Sequence, residues 1–269
     1  MRRRLVVNAD DLGLHPRLDE GILEARRRGI LTSASLLATG RTAAEAVRAA
    51  QAAGLRIGVH LCLVTALPPA LPAAEVASLA PGGVFRESWG ALVKAWALGR
   101  VRPGEVKAEL SAQLRRARAL GAEVDHLDAH QHVHALPGLA GVVRRLADEE
   151  RLPLRWPLER PRPASLKGAL LAALAKVAPR PARALEVVGL SRSGTLDERA
   201  LLEVLDALPE GDFELICHPG LDPGAVPEDP AWRYGWEREL EALVSAAVRR
   251  RVEEREIELT TYGRLFGGC

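Results

Sequence analysis

The sequence predicts an α/β chain folded as a distorted (β/α) barrel of the TIM type, with parallel strands and an active site at their C-terminal ends. Three observations lead there. Short branched apolar runs alternate with helical stretches, 269 residues suit one barrel of roughly 250, and the polar clusters fall where strands run into loops. One domain over 1–269 is expected, with an insertion at about 65–102.

The first strand is expected over 5–9, an apolar run closed by Asp10 and Asp11, and Pro16 opens a helix that reaches Arg28. A strand over 33–38 and a helix over 42–53, with Thr42 as N-cap, repeat the unit. A branched run over 55–63 supplies the third strand. Residues 65–102 break the rhythm with Pro68, Pro69, Pro72, Pro81 and the Gly82-Gly83 pair, and contain a short helix near 89–98. An insertion of that length reads as a lid or binding loop. Alternation resumes with a helix over 103–120, a strand over 123–130, a helix over 137–150 and a strand over 152–156. Between 157 and 190 the pattern is ambiguous, with a helix over 165–177 and weak strand signals. A helix over 197–208 capped by Asp197, a buried strand over 213–217, a long helix over 232–250 and a strand over 257–261 complete the pattern, without internal repeats.

Composition narrows the function classes. A net charge of +2, with arginine-rich stretches interrupted by acidic residues, does not imply a nucleic-acid partner. The basic start is followed only by Leu5, Val6 and Val7, too short for a signal peptide. No later segment has the length of a membrane span, so a cytoplasmic location is expected. Cys62, Cys217 and Cys269 form an odd set without CxxC spacing, which favours reduced thiols over a disulfide framework or a zinc ribbon. Asn8 is the sole asparagine and Met1 the sole methionine, a bias that a thermophile or a GC-rich genome would produce.

Five clusters carry the chemistry: Asp10-Asp11, His60, the run Asp128-Ala-His130-Gln-His132-Val-His134, Arg155-Trp156, and His218-Pro219-Gly220. Each ends a predicted strand, so all converge on one barrel mouth. Two adjacent carboxylates at a buried mouth repel unless a cation or a proton relieves them, which suggests one metal ligand and one proton acceptor; the competing reading is a helix-capping pair. Adjacent strand residues face opposite sides, so the pair needs a turn to share a site. Gly58, two residues before His60, reads as room for a ligand near the backbone. His126, Asp128, His130, His132 and His134 share one parity and face one side wherever the chain stays extended. Asp128 there suits orientation of the His130 ring, and His132 and His134 suit contact with substrate; the competing reading is a solvated histidine loop. His218, which titrates near neutrality, suits a general acid, against an exposed turn histidine. Trp156 suits stacking on a sugar ring or plain packing, and Arg155 holding a carboxylate in place or bridging helices on the outside; Cys62 shares the parity of His60, as a His-x-Cys ligand pair would, but both Cys62 and Cys217 read better as small core residues.

The stretches NADDLG, GVHLCL, HLDAHQHVH, LPLRWP and HPG, in that order, resemble the YdjC-like carbohydrate deacetylases, and the likeness runs through most of the chain. The resemblance implies a distorted β/α barrel, a homodimer, and a divalent metal held by Asp11, His60 and His130. It further implies Asp10 as base, His218 as acid and Arg155 as the residue orienting the base. The expected substrate is an N-acetylated amino sugar, in an oligosaccharide or a glycolipid. Leu12 stands where that family usually has Phe, and the segment after His60 lacks the Thr-x-Gly-x-Pro-Leu run of the chitooligosaccharide enzymes, so the activity class is better supported than the sugar. Two histidines and a carboxylate suit Zn²⁺, whereas the family is often associated with Mg²⁺, which prefers oxygen. Two rivals are a metal-dependent phosphoesterase or amidohydrolase and a non-catalytic sugar- or metal-binding protein. The first normally carries an HxH pair on its first strand, where this chain has Asp10-Asp11; intact Asp10 and His218 count against the second.

Overall fold

A computed structural model describes residues 2–160, 166–178, 180–224, 226 and 233–267. Eight parallel strands alternate with helices. β1 (Arg3–Leu12) leads to α1 (Pro16–Arg28), β2 (Ser33–Leu36) to α2 (Ala43–Ala52), and β3 (Arg56–Leu61), after the insertion with α3 (Trp89–Ala97), to α4 (Pro103–Ala119). β4 (Val124–Ala129) precedes α5 (Leu139–Glu150), β5 (Leu154–Glu159) precedes α6 (Leu166–Val177), and β6 (Ala184–Val188) precedes α7 (Glu198–Asp206). β7 (Gly211–Cys217) is followed by α8 (Trp236–Val244) and α9 (Ala246–Glu254), and β8 (Ile257–Thr260) by α10 (Tyr262–Phe266).

The barrel closes through seven strands, β1 to β7, because β1 pairs with both β2 and β7. One edge of β1 carries β7 from Arg3 to Ala9; β8 pairs with Arg3 to Val6, and β2 pairs from Asn8 to Leu12. The last strand therefore supports the lower half of the first without entering the ring as an eighth member. At β4–β5 the ladder is reduced to Leu127 opposite Leu154. This is the distortion in the barrel, and it lies beside the point where β4 turns into the histidine loop.

The apolar mass lies between strands and helices, where Leu5, Val7 and Ala9 of β1 join the main core. The barrel interior is different. A small apolar plug of Val6, Leu185 and Tyr262 fills the floor. The interior polar groups, Asn8, Ser35, His126, Asp128, Arg155 and Glu214, are all fully buried. A barrel usually fills this space with branched aliphatic layers; here a charged network takes their place.

Local chemistry explains where helices begin. Asp10 and Asp11 do not cap α1; His15 does, its Nδ1 accepting from Arg17 N at 3.2 Å. Thr42 makes no side-chain cap bond to α2; its backbone is not in the extended conformation of a usual N-cap, and its hydroxyl donates to Asp19. Asp197 caps α7 as expected, accepting from Ala200 N at 2.8 Å. The single long helix expected over 232–250 is two helices: Ser245 is extended and its hydroxyl caps α9. The expected helix starts at Ser165 and Trp232, and Cys269, lie outside the described residues.

The insertion is anchored. Glu109 of α4 accepts from Ala70 N at 2.8 Å and Leu71 N at 3.0 Å, while Glu105 accepts from Ser78 N at 2.9 Å and Leu79 N at 3.2 Å. Leu67, Val76, Leu79, Phe85 and Leu92 are buried in the main core. Among the described residues no helix is long and apolar enough to cross a membrane.

Candidate metal and catalytic centre

Asp11, His60 and His130, from three different strand ends, meet at one point. Asp11 Oδ1 lies 2.9 Å from His130 Nδ1 and 3.4 Å from His60 Nε2, and the two ring nitrogens are 3.3 Å apart. A cation bonded at about 2.0–2.1 Å holds tetrahedral ligands roughly 3.3 Å apart. The donor set fits a divalent ion without rearrangement. All three side chains are buried.

The turn that two neighbouring carboxylates need is present. β1 shifts register between Ala9 and Leu12, and Asp11 takes a left-handed φ of 68°, which turns both aspartates toward the axis. Asp10 is then clamped by Arg155, with Nη1 2.7 Å from Oδ2 and Nη2 2.6 Å from Oδ1, and receives Asn8 Nδ2 on Oδ1 at 3.0 Å. Burial pushes the Asp10 carboxyl up, but the guanidinium, His60 and His218 outweigh it and hold it well below the usual carboxylate range. Arg155 also reaches Glu214 Oε1 from Nε at 2.9 Å and Asp128 Oδ2 from Nη2 at 2.6 Å, so one cation serves three carboxylates. Tyr262 donates to the other oxygen of Glu214.

Asp128 accepts from His60 Nδ1 at 2.8 Å, which directs Nε2 of that ring to the triad. It orients His60, not His130 as the sequence suggested, because β4 ends at Ala129 and the ring of His130 lies beyond the strand. Burial opposes a charged His60, yet Asp128, Asp10 and Asp11 outweigh it and raise the ring to about 9. Without a metal the carboxylates thus retain a proton on His60; a cation would take that proton's place. Burial likewise opposes ionisation of Asp11 and Asp128, but His130 holds Asp11 low and Arg155 holds Asp128 low.

His218 follows β7 and puts Nε2 3.9 Å from Asp10 Oδ2. Its imidazole meets the Tyr234 ring edge-on at 4.8 Å between centroids. Glu239 of α8 holds the turn by accepting from His218 N at 2.5 Å and Gly194 N at 2.6 Å, and its Oε2 stands 3.9 Å from His218 Nδ1. Burial lowers the His218 pKa against the pull of Asp10 and Asp11.

The family model of the YdjC-like protein matches residues 4–254. The chain belongs to the YdjC-like family. A carbohydrate deacetylase of Geobacillus stearothermophilus is 31% identical over 99% of each chain. A carbohydrate deacetylase of Homo sapiens is 36% identical over 96% of this chain and 90% of its own. A crystal structure from Enterococcus faecalis, bearing the provisional description of a cellobiose-phosphate cleavage protein, superposes with a TM-score of 0.82 at 30% identity, covering 98% of this chain and 99% of the other. A family 4 carbohydrate esterase from Streptomyces lividans in complex with acetate shares the fold at a TM-score of 0.50 and 11% identity, covering 96% and 92%.

Some expected site residues sit elsewhere. Trp156 follows Arg155 in β5 and alternation turns it to the helix side of the sheet, where it is buried; it does not join the cluster. The parity of the histidine run fails after Ala129, because residues 130–135 form a 3₁₀ turn in which Gln131 and His132 have positive φ. His132 and His134 are nonetheless buried beside one another with ring centroids 6.0 Å apart, and burial lowers His134 to about 4. Gly58 leaves no space for a ligand: a Cβ there would lie 2.2 Å from His126 Cε1. Cys62 and Cys217 are core residues whose thiols donate to Val64 O and Asn8 O. Sequence reasoning missed Glu214, Ser35, Tyr262 and Glu239. A carboxylate inside the apolar run Phe213-Glu-Leu-Ile-Cys217 was the available signal for Glu214.

Proposed function

We propose that this protein is a metal-dependent carbohydrate N-deacetylase, removing acetyl groups from N-acetylated amino sugars. The observation that carries the reading is the convergence of Asp11, His60 and His130 on one ion-sized volume, with Asp10 and His218 flanking it. The carbohydrate deacetylases among its relatives supply the substrate class.

In this reading Asp11, His60 and His130 hold a divalent ion. When bound, that ion polarises the amide carbonyl and lowers the pKa of a water toward roughly 7. Arg155 keeps Asp10 ionised and fixes its rotation, so that Oδ2, on the His60 and His218 side, takes the proton of the attacking water. His218, held by the Glu239 turn, donates a proton from Nε2 to the departing nitrogen, and acetate and the free amine leave. Asp128 keeps Nε2 of His60 pointed at the ion, and the fully buried Arg155 acts by support and does not touch the sugar. His132 and His134 border substrate.

The two-nitrogen, one-oxygen donor set favours Zn²⁺ over Mg²⁺; metal analysis of protein prepared without chelator or histidine tag decides between them. The insertion at 65–102 serves as the lid that selects the sugar. A homodimer and a cytoplasmic location complete the reading, the first tested by light scattering. The central experiment measures acetate released from N-acetylated mono-, di- and trisaccharides and N-acetylglucosaminyl lipids, with and without EDTA. Metal-dependent release is expected. No release from any of them by metal-loaded protein would overturn the reading.

A further inference from the structure

Below the metal triad the barrel axis holds a second polar cluster, of which the proposed reaction uses only Asp128. Ser35 Oγ, on β2, lies 2.8 Å from Asn8 Nδ2, 2.8 Å from Asp128 Oδ2 and 3.1 Å from His126 Nε2. A hydroxyl has one proton to give. Asp128 is ionised against Arg155 and His60 and can only accept, so the Ser35 proton goes to it. His126 Nε2 must then bring its own hydrogen. On the other side of the ring, Nδ1 lies 2.7 Å from Asp125 Oδ1, a second acceptor.

Both ring nitrogens therefore donate. The ring stacks on Tyr262 at 4.2 Å with the planes 10° apart, an aromatic face that favours a cation. Gly58 provides the space on the other face. Glu214, bonded to Tyr262, adds a further negative group nearby.

We infer that His126 is a buried imidazolium and a positioning residue: through Ser35 it fixes which oxygen of Asp128 faces His60, and so holds His60 Nε2 at the metal position. The column runs Asp125, His126, Ser35, Asp128, His60, from the barrel floor to a ligand. It rests on the reading of His60 as a metal ligand and extends it downward by three residues.

The test has two arms. In metal-free protein with ¹⁵N-labelled histidine, both nitrogens of His126 should resonate as N–H from pH 6 to 8; one bare ring nitrogen at pH 7 overturns the inference. In the second arm Zn²⁺ affinity is measured by competition with a chromophoric chelator for wild type, Ser35→Ala and His126→Gln. Removal of such outer partners weakens metal binding by about 10- to 100-fold, and that loss is expected in both variants. Ser35→Ala deletes one oxygen, so it decides the matter even where His126→Gln does not fold. Wild-type binding with equal affinity in Ser35→Ala overturns this inference alone, whereas a wild type that binds no Zn²⁺ overturns the ligand assignment as well.

Discussion

Arg155 and Asp10 meet in a two-pronged ion pair, at 2.7 and 2.6 Å, inside a barrel where the arginine has no solvent exposure. The pair ties β5 to β1 across the axis, and the same guanidinium neutralises Glu214 and Asp128. Removing it leaves three carboxylates buried without their cation. Arg155→Ala should lose about 3–5 kcal/mol of stability, the usual cost of deleting one partner of a buried pair. Urea denaturation measures it, and a loss below about 1 kcal/mol would show that the carboxylates take up protons at little cost.

In the proposed reading Asp10 and Asp11 are neighbours with separable duties. Asp11→Asn should lower bound metal and activity together, whereas Asp10→Asn should keep its metal and lose about 10²- to 10⁴-fold in kcat. Elemental analysis beside kinetics distinguishes them. Equal metal loss in both would make Asp10 a ligand, in keeping with its place in a second donor group with His60 and Asp128.

For His218 the expectation is kinetic. His218→Ala should reduce kcat by about 10²- to 10⁴-fold with metal content intact. A substrate with a better leaving group should recover part of the loss; unchanged turnover removes the acid role.

Glu239 gives a pH signature. Burial raises its carboxyl from 4.5 to about 7, against the backbone N–H groups of His218, Gly194 and Leu196. A raised carboxyl means the folded state holds the proton longer. Its stabilising contribution is complete below about pH 4.5 and is lost as pH rises through about 7, a loss of about 3 kcal/mol. Glu239→Gln lacks that titration. Its decline in stability from pH 5 to 7.5 should therefore be shallower than that of wild type. Identical slopes in urea titrations would return Glu239 to the ordinary carboxylate range.

Much of this was legible in the sequence, and the reason is positional. Asp11, His60 and His130 end strands, and a parallel barrel brings strand ends together whatever the details of packing. The partners inside the barrel were not legible. Glu214 answers to Arg155, 59 residues away, and Ser35 to His126, 91 residues away; neither segment carries a local sign of the other. The break at Ser245 was hidden because the amphipathic period continues on both sides of it. Thr42 misled for a similar reason: the partner of its hydroxyl is Asp19 in α1, which nothing near residue 42 announces.

The left-handed residue at position 11 has one more effect. Asp10 and Asp11 share a peptide bond, so their Cα atoms remain about 3.8 Å apart however the barrel expands or its loops rearrange. The peptide bond fixes only that Cα spacing; the distance between the two carboxylates is set by the left-handed φ at Asp11 and by the Arg155 clamp on Asp10. A change that relaxed the φ of 68° at Asp11 would send the two carboxylates to opposite faces of β1 with their Cα spacing unchanged.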